Sequence, residues 1–187
     1  GLLDSAVHVA GKFIEKGKKI VYTKGRKQSQ NLEFFSNASK PYTDFPMVVL
    51  INDGSASGSE IVAGCLQDYK RAVIVGVKSF GKGSVQTVIP LSDGSALRLT
   101  TSKYFTPSGK VIHGKGVIPD IVVEESANVP LDNEIKSEKA AEIFDQIEQK
   151  EKPPLQKDEL KYKKDAQVMR AIDVLKVLLI YRNNEVS

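Results

Sequence analysis

The 187-residue chain holds one cysteine, two histidines and no apolar run long enough to cross a bilayer. One cysteine excludes an internal disulfide but does not fix the redox compartment. His8 and His113 lie far apart with no ligand spacing, which argues against a metal site. No segment approaches the roughly 18 consecutive apolar residues of a membrane helix, and no secretory leader is legible. An excess of one charge is lacking too. Set against 23 acidic residues, 27 basic ones leave a net +4, which makes no case for nucleic acid. Repeats and low-complexity tracts are absent. What remains is a 41% hydrophobic composition, enough for a core, in a length that suits one domain plus an appendage.

The informative part of the chain is residues 47–91. Met47–Ile51 is an apolar, β-branched run of strand length. Asn52-Asp53-Gly54 breaks it. Ser57-Gly58-Ser59-Glu60 fits an N-cap with Glu at the third helical position, a capping box. Ile61, Val62, Cys65 and Leu66 then form the stripe of a short helix. Ala72–Val77 and Val85–Leu91 are two further apolar strands. Strand, helix and strand in this order predict a parallel unit. Such a unit brings the loop bearing Ser57 and the loop bearing Phe80-Gly81-Lys82-Gly83 to one sheet edge.

That juxtaposition suggests chemistry. A serine at a helix start has backbone N–H groups beside it that can hold an oxyanion, and Gly58 lets a carbonyl approach closely. A lysine between two glycines fits a tight, dry place where desolvation favours the neutral amine. Serine beside neutral lysine is a nucleophile–base pair. Two plainer readings compete. Ser57 is also explained as an N-cap alone. Gly76-Val-Lys-Ser-Phe-Gly81-Lys82 nearly spells a phosphate-binding loop, but Gly83 stands where Ser or Thr belongs and a strand follows where a helix should. Cys65, on the apolar face of its helix, reads as core rather than as a catalytic thiol.

Three blocks, VLINDGSASGSEIVAG, GVKSFGKGSVQ and LRLTTSKYFTPSGKVIHGKGVIPDI, strongly resemble the carboxyl-terminal processing peptidases, or tail-specific proteases. With the opening GLLDSA they cover most of residues 1–123, in order and at similar spacing. The resemblance implies an α/β core of the crotonase- and ClpP-like type and a serine endopeptidase with a Ser/Lys dyad, cleaving near the C-termini of proteins. It implies Ser57 as nucleophile, Lys82 as general base and Gln86 as support for the lysine. It implies the Gly58 amide as one oxyanion donor, at a position where the family more often has alanine. Gly1 matches the last glycine of a D-L-R-x-N-x-G-G segment that supplies the other donor. The resemblance also implies an upstream first part of the core with a PDZ domain, extended C-terminal tails of proteins as substrates, no cofactor, and an extracytoplasmic setting: periplasm, cell envelope or thylakoid lumen. Some relatives make dimer contacts with terminal segments, so a homo-oligomer through terminal helices is a further expectation. A non-catalytic peptide-binding module of the same fold is the alternative; the presence of Ser57, Lys82 and Gln86 favours the enzyme.

The remaining stretches predict structure more than function. Leu3, Ala6, Val7, Ala10, Phe13 and Ile14 predict an amphipathic first helix, with His8 on its solvated side. Lys18–Thr23 and Asn31–Phe35 predict a hairpin. The lysines and Arg26 around it fit a solvated, edge-protecting face or, less simply, a surface for an acidic partner. Ser92-Asp93-Gly94-Ser95 predicts the turn of a second hairpin running to Phe105. Residues 1–125 are thus expected to form the C-terminal part of a protease core, and 126–187 a charged helical region. In the latter, 18 of the 34 residues from Asp132 to Asp165 are charged and Pro153-Pro154 interrupts them. Helices are predicted over roughly 132–150 and 159–182, the second amphipathic through Val168, Ile172, Leu175 and Leu179.

Overall fold

The computed structural model describes residues 2–125 and 165–185. The predicted first stripe folds as α1 (Leu3–Gly11), with Ala6 and Ala10 buried and His8 exposed. Small residues on its inner side let α1 lie close to the helix that follows Ser57. The first hairpin is β1 (Lys19–Gly25) and β2 (Glu33–Phe35), joined through a short 3-10 turn at Gln28–Gln30. Thr23, buried in β1, holds that connection by donating to the Gln30 carbonyl and accepting from the Leu32 N–H.

The central unit is β3 (Val48–Ile51), α2 (Gly58–Asp68) and β4 (Val73–Gly76). β3 and β4 are parallel, from Val48 opposite Val73 to Ile51 opposite Gly76. The second hairpin is β5 (Ser84–Pro90) and β6 (Ala96–Phe105), closed by the predicted turn. There Asp93 accepts from both the N–H and the hydroxyl of Ser95. β7 (Ile121–Val122) adds to β4 in parallel, and the neighbouring Asp120 carboxylate accepts the Ile74 N–H.

These strands form two sheets. One is antiparallel in the order β2-β1-β6-β5; the other is parallel in the order β3-β4-β7. α1 and α2 pack on each other and on β1, and α2 also touches β4, so the helix pair joins the sheets. Ile14, Ile20, Ile61, Leu66, Ile74 and Ile112 form the core between them. Each such side chain, fully buried, stabilises the fold by about 1.5–3 kcal/mol. Arg71 ties down the loop before β3 by donating to the carbonyls of Tyr42 and Phe45, with its guanidinium 4.9 Å from the Phe45 ring centre.

The last described element, α3 (Ala166–Glu185), starts at Asp165, whose carboxylate accepts the N–H groups of Gln167 and Val168. It packs on β3 and β4. The contact face differs from the predicted stripe. Ala171 is buried and Val168, Val174, Leu175 and Leu178 are half-buried, whereas Ile172 and Leu179 are exposed. The cause is that α3 carries apolar residues nearly all round, so hydrophobicity alone does not choose the seam. The helix predicted over 132–150, the Pro153-Pro154 linker and residues 159–164 lie outside the described residues.

Candidate active site

A sharp strand–turn–helix junction presents Ser57. After Ile51 the chain reverses on an Asn52 turn, in which Asn52 Oδ1 accepts the Gly54 N–H and the Asn52 carbonyl accepts the Ser55 N–H. Ser57 then has φ 56° and ψ −113°. Among the described residues only one other non-glycine, Lys70, has positive φ. Lys70 follows the end of α2, where a left-handed residue is a common way to finish a helix. Ser57 has no such excuse. An N-cap sits in the extended region with negative φ, and the Ser57 conformation costs on the order of 1–3 kcal/mol. Capping alone therefore does not explain it. The turn leaves the Gly58 N–H at the first position of α2; among the described residues no acceptor meets it. An alanine Cβ at Gly58 would lie in ordinary contact, 3.4 Å from the Ala6 side chain.

The second loop, residues 77–83, leaves β4 at the edge where β3 ends. It is clamped from two directions. On one side Phe80 N–H donates to the Ser55 carbonyl at 3.0 Å, bonding it to the turn that bears Ser57. On the other, Gly114 N–H donates to the Gly81 carbonyl, and Tyr104 N–H to the Gly83 carbonyl. Gly81 has φ +92°, and any side chain at Gly83 would run into the backbone of His113. Both glycines beside the lysine are thus required by backbone shape and crowding. Lys82 itself is half-buried.

Glu60 joins the two loops. It is 1% exposed, and its carboxylate accepts four hydrogen bonds. Oε2 takes the Ser57 N–H at 2.9 Å and the Lys82 N–H at 2.8 Å. Oε1 takes the Gly81 N–H at 2.6 Å and the Ser79 hydroxyl at 2.5 Å. The Ser79 hydroxyl in turn accepts the Val117 N–H at 2.7 Å. The capping-box pattern identifies one of these bonds. The other three come from a loop about twenty residues on, so nothing local in the sequence announced Glu60 or Ser79 as part of the site.

The other expected residues fall as follows. Gln86 is exposed on β5, opposite Thr100 and just past a register shift at Val85/Gln86. Gly1 lies outside the described residues. His113 is exposed, although its backbone packs against Gly83. Cys65 is fully buried, and burial pushes its thiol up to about 12, which removes it as a nucleophile. β5, not a helix, follows Lys82, as the failed phosphate-loop pattern requires.

A strained serine at a strand-to-helix turn, with an open amide beside it and a lysine loop bonded to the same carboxylate, is an arrangement suited to acyl transfer. The comparisons with known proteins agree with it. A family model described as peptidase family S41 matches residues 1–123. The chain is 57% identical over 125 residues to a carboxy-terminal-processing protease of Bartonella bacilliformis, covering 67% of this chain and 29% of that protein. It is 43% identical over 137 residues to a probable CtpA-like serine protease of Staphylococcus epidermidis, covering 71% and 28%. Among solved structures, a photosystem II D1 C-terminal processing protease superposes with TM-score 0.61 at 38% identity, over 66% of this chain and 32% of that one. A putative S41 protease from Bacteroides fragilis shares the fold, with TM-score 0.55 at 20% identity over 79% and 42%. The chain thus spans less than a third of the length of the curated relatives it matches. With the family model extending through both loops of the site, and with this identity to the relatives, the chain belongs to peptidase family S41.

Proposed function

We propose that this chain carries the nucleophile and general base of a serine endopeptidase that cleaves proteins near their C-terminal ends. The observation that carries the reading is the strained Ser57, whose N–H shares one Glu60 oxygen with the Lys82 N–H. Ser57 Oγ attacks the scissile carbonyl carbon while its proton passes to the neutral Lys82 amine. The carbonyl oxygen becomes an oxyanion that accepts the Gly58 N–H, and α2 points its positive dipole end at the same spot. Collapse breaks the C–N bond, and the leaving amine takes the proton from the Lys82 ammonium. Water, losing a proton to Lys82, then attacks the acyl carbonyl; collapse breaks the C–Oγ bond, Ser57 Oγ takes that proton back from Lys82, and the carboxylic acid leaves.

Gln86 and Gly1 keep the roles that the resemblance gives them, supporting the lysine and supplying the second oxyanion donor. Among the described residues β5 is the outer strand of its sheet, and that edge suits an extended substrate tail added as a further strand. The reaction as written needs no cofactor. We place it outside the cytoplasm on the family resemblance, with the PDZ part and a homo-oligomer through terminal helices as its expected partners.

The test uses the natural protein that carries this chain and an unstructured peptide, with kcat/KM measured against pH. Ser57→Ala, Lys82→Ala and Lys82→Arg should each lose about a thousandfold or more. Arginine keeps the charge but cannot give up its proton at working pH. His113→Gln should keep the pH profile of the wild type. Strong activity in Lys82→Arg, or loss of the profile in His113→Gln, would move the base elsewhere. Peptide binding without cleavage by the wild type would favour the non-catalytic module.

A further inference from the structure

We infer that Glu60, together with Ser79, is a positioning residue that fixes the base relative to the nucleophile. The inference rests on the Ser57/Lys82 reading above. An ionised carboxylate offers about four lone-pair sites, and Glu60 fills that number with three backbone N–H groups and one hydroxyl. Burying the group at 1% exposure is costly unless it is fully hydrogen-bonded. A cap needs one of these bonds. The other three bind residues 79–82, so most of what compensates the buried charge is spent on the lysine loop.

The geometry explains what this achieves. The backbone nitrogens of Ser57 and Lys82 sit on one oxygen atom, at 2.9 and 2.8 Å. They can be no further apart than those two bonds laid end to end. A carboxylate is planar and rigid, so its second oxygen also sets the orientation of the loop through Gly81 and Ser79. Ser79 extends the chain of bonds to Val117, and Gly114 holds Gly81 from the same side. The lysine backbone therefore cannot drift from the nucleophile without breaking several short bonds at once. The bond to the Ser57 N–H also braces a backbone conformation that a serine would leave if it could.

Glutamine at position 60 keeps the shape but turns one acceptor oxygen into a donor facing two donors. Ser79→Ala removes only one of the four bonds. The experiment compares Glu60→Gln, Glu60→Asp and Ser79→Ala with Ser57→Ala and Lys82→Ala in the natural protein. It records kcat and KM on one unstructured peptide, the melting temperature, and the number of reactive serines titrated with a fluorophosphonate. Displacing a catalytic group by about 1 Å costs on the order of a hundredfold. Glu60→Gln should therefore lose about a hundredfold in kcat per titrated site with KM within about threefold. Ser79→Ala should lose about tenfold with the same split, and Glu60→Asp should fall between the two. A purely structural role would instead lower the melting temperature and the number of sites, leaving kcat per site intact. That outcome, or a loss confined to KM, overturns the proposal. If Glu60→Gln does not fold, Ser79→Ala decides: wild-type kcat per site in that variant overturns it. Activity surviving in Ser57→Ala or Lys82→Ala removes the dyad itself, a failure distinct from that of Glu60.

Discussion

Ser57 stores strain that glycine would release. Its φ of 56° with ψ −113° is open to glycine and awkward for any residue with a Cβ. Ser57→Gly should therefore raise unfolding stability by about 1 kcal/mol or more while abolishing cleavage. Ser57→Ala should abolish cleavage with no such gain, because alanine keeps the Cβ. Denaturant melts of the two variants measure the difference, and equal stabilities would show that the turn is not strained. The settings of Ser57 and Lys82 were legible in the sequence because each is local: a serine at a helix start, a lysine between glycines. Glu60 was only half legible. The capping box explained it so well that a second role was invisible, and three of its four donors are fixed by the tertiary fold. Ser79 offered no signal, since a buried serine in a loop looks like any other.

At the scale of elements, the β3–α2–β4 unit was read from sequence almost to its ends, since apolar runs, a capping box and glycine breaks all agree there. The hairpin β5–β6 was equally plain from alternation and its Asp-Gly turn. β7 has only two residues, too short for any pattern, and its position depends on β4 being there to pair with. The seam of α3 was misjudged because its apolar residues do not keep to one face. The end of α2 yields a prediction on pH. The Asp68 side chain is 3% exposed, bridges to Lys110 at 3.0 Å and accepts the Ser108 N–H at 2.8 Å. Burial pushes its carboxyl up, but hydrogen bonds from Thr106, Ser108 and Lys110 outweigh that and leave it below the ordinary value of 3.8. A carboxyl lowered on folding stabilises the native state above its unfolded pKa. That contribution is lost as pH falls below about 3.8 and through the folded value. Asp68→Asn should be less stable than wild type at neutral pH, and the gap should close in acid. Unfolding free energies between pH 7 and pH 2 test this; a gap constant with pH would refute the linkage.

At the scale of the whole molecule, α3 lies against the parallel sheet that carries the Ser57 turn. We propose that α3 stabilises it, since the helix covers the β3–β4 face and Gln167 donates to the Val123 carbonyl at 2.8 Å. Deleting residues 159–187 should lower the melting temperature or change the oligomeric mass, and light scattering beside a thermal melt reads both. If neither moves, the helix has a separate role. The β5–β6 ribbon has another kind of consequence. Its base is held by buried Ser102 and Tyr104, while Val88, Ile89, Leu97 and Leu99 near its tip are all more than a third exposed. A two-stranded ribbon without a covered face is only marginally stable in water. One hairpin should then show a graded clock in deuterium uptake. Amides at Ile89 and Leu97 should exchange early and the amide of Tyr104 late, with the order following distance from the core rather than position in the chain.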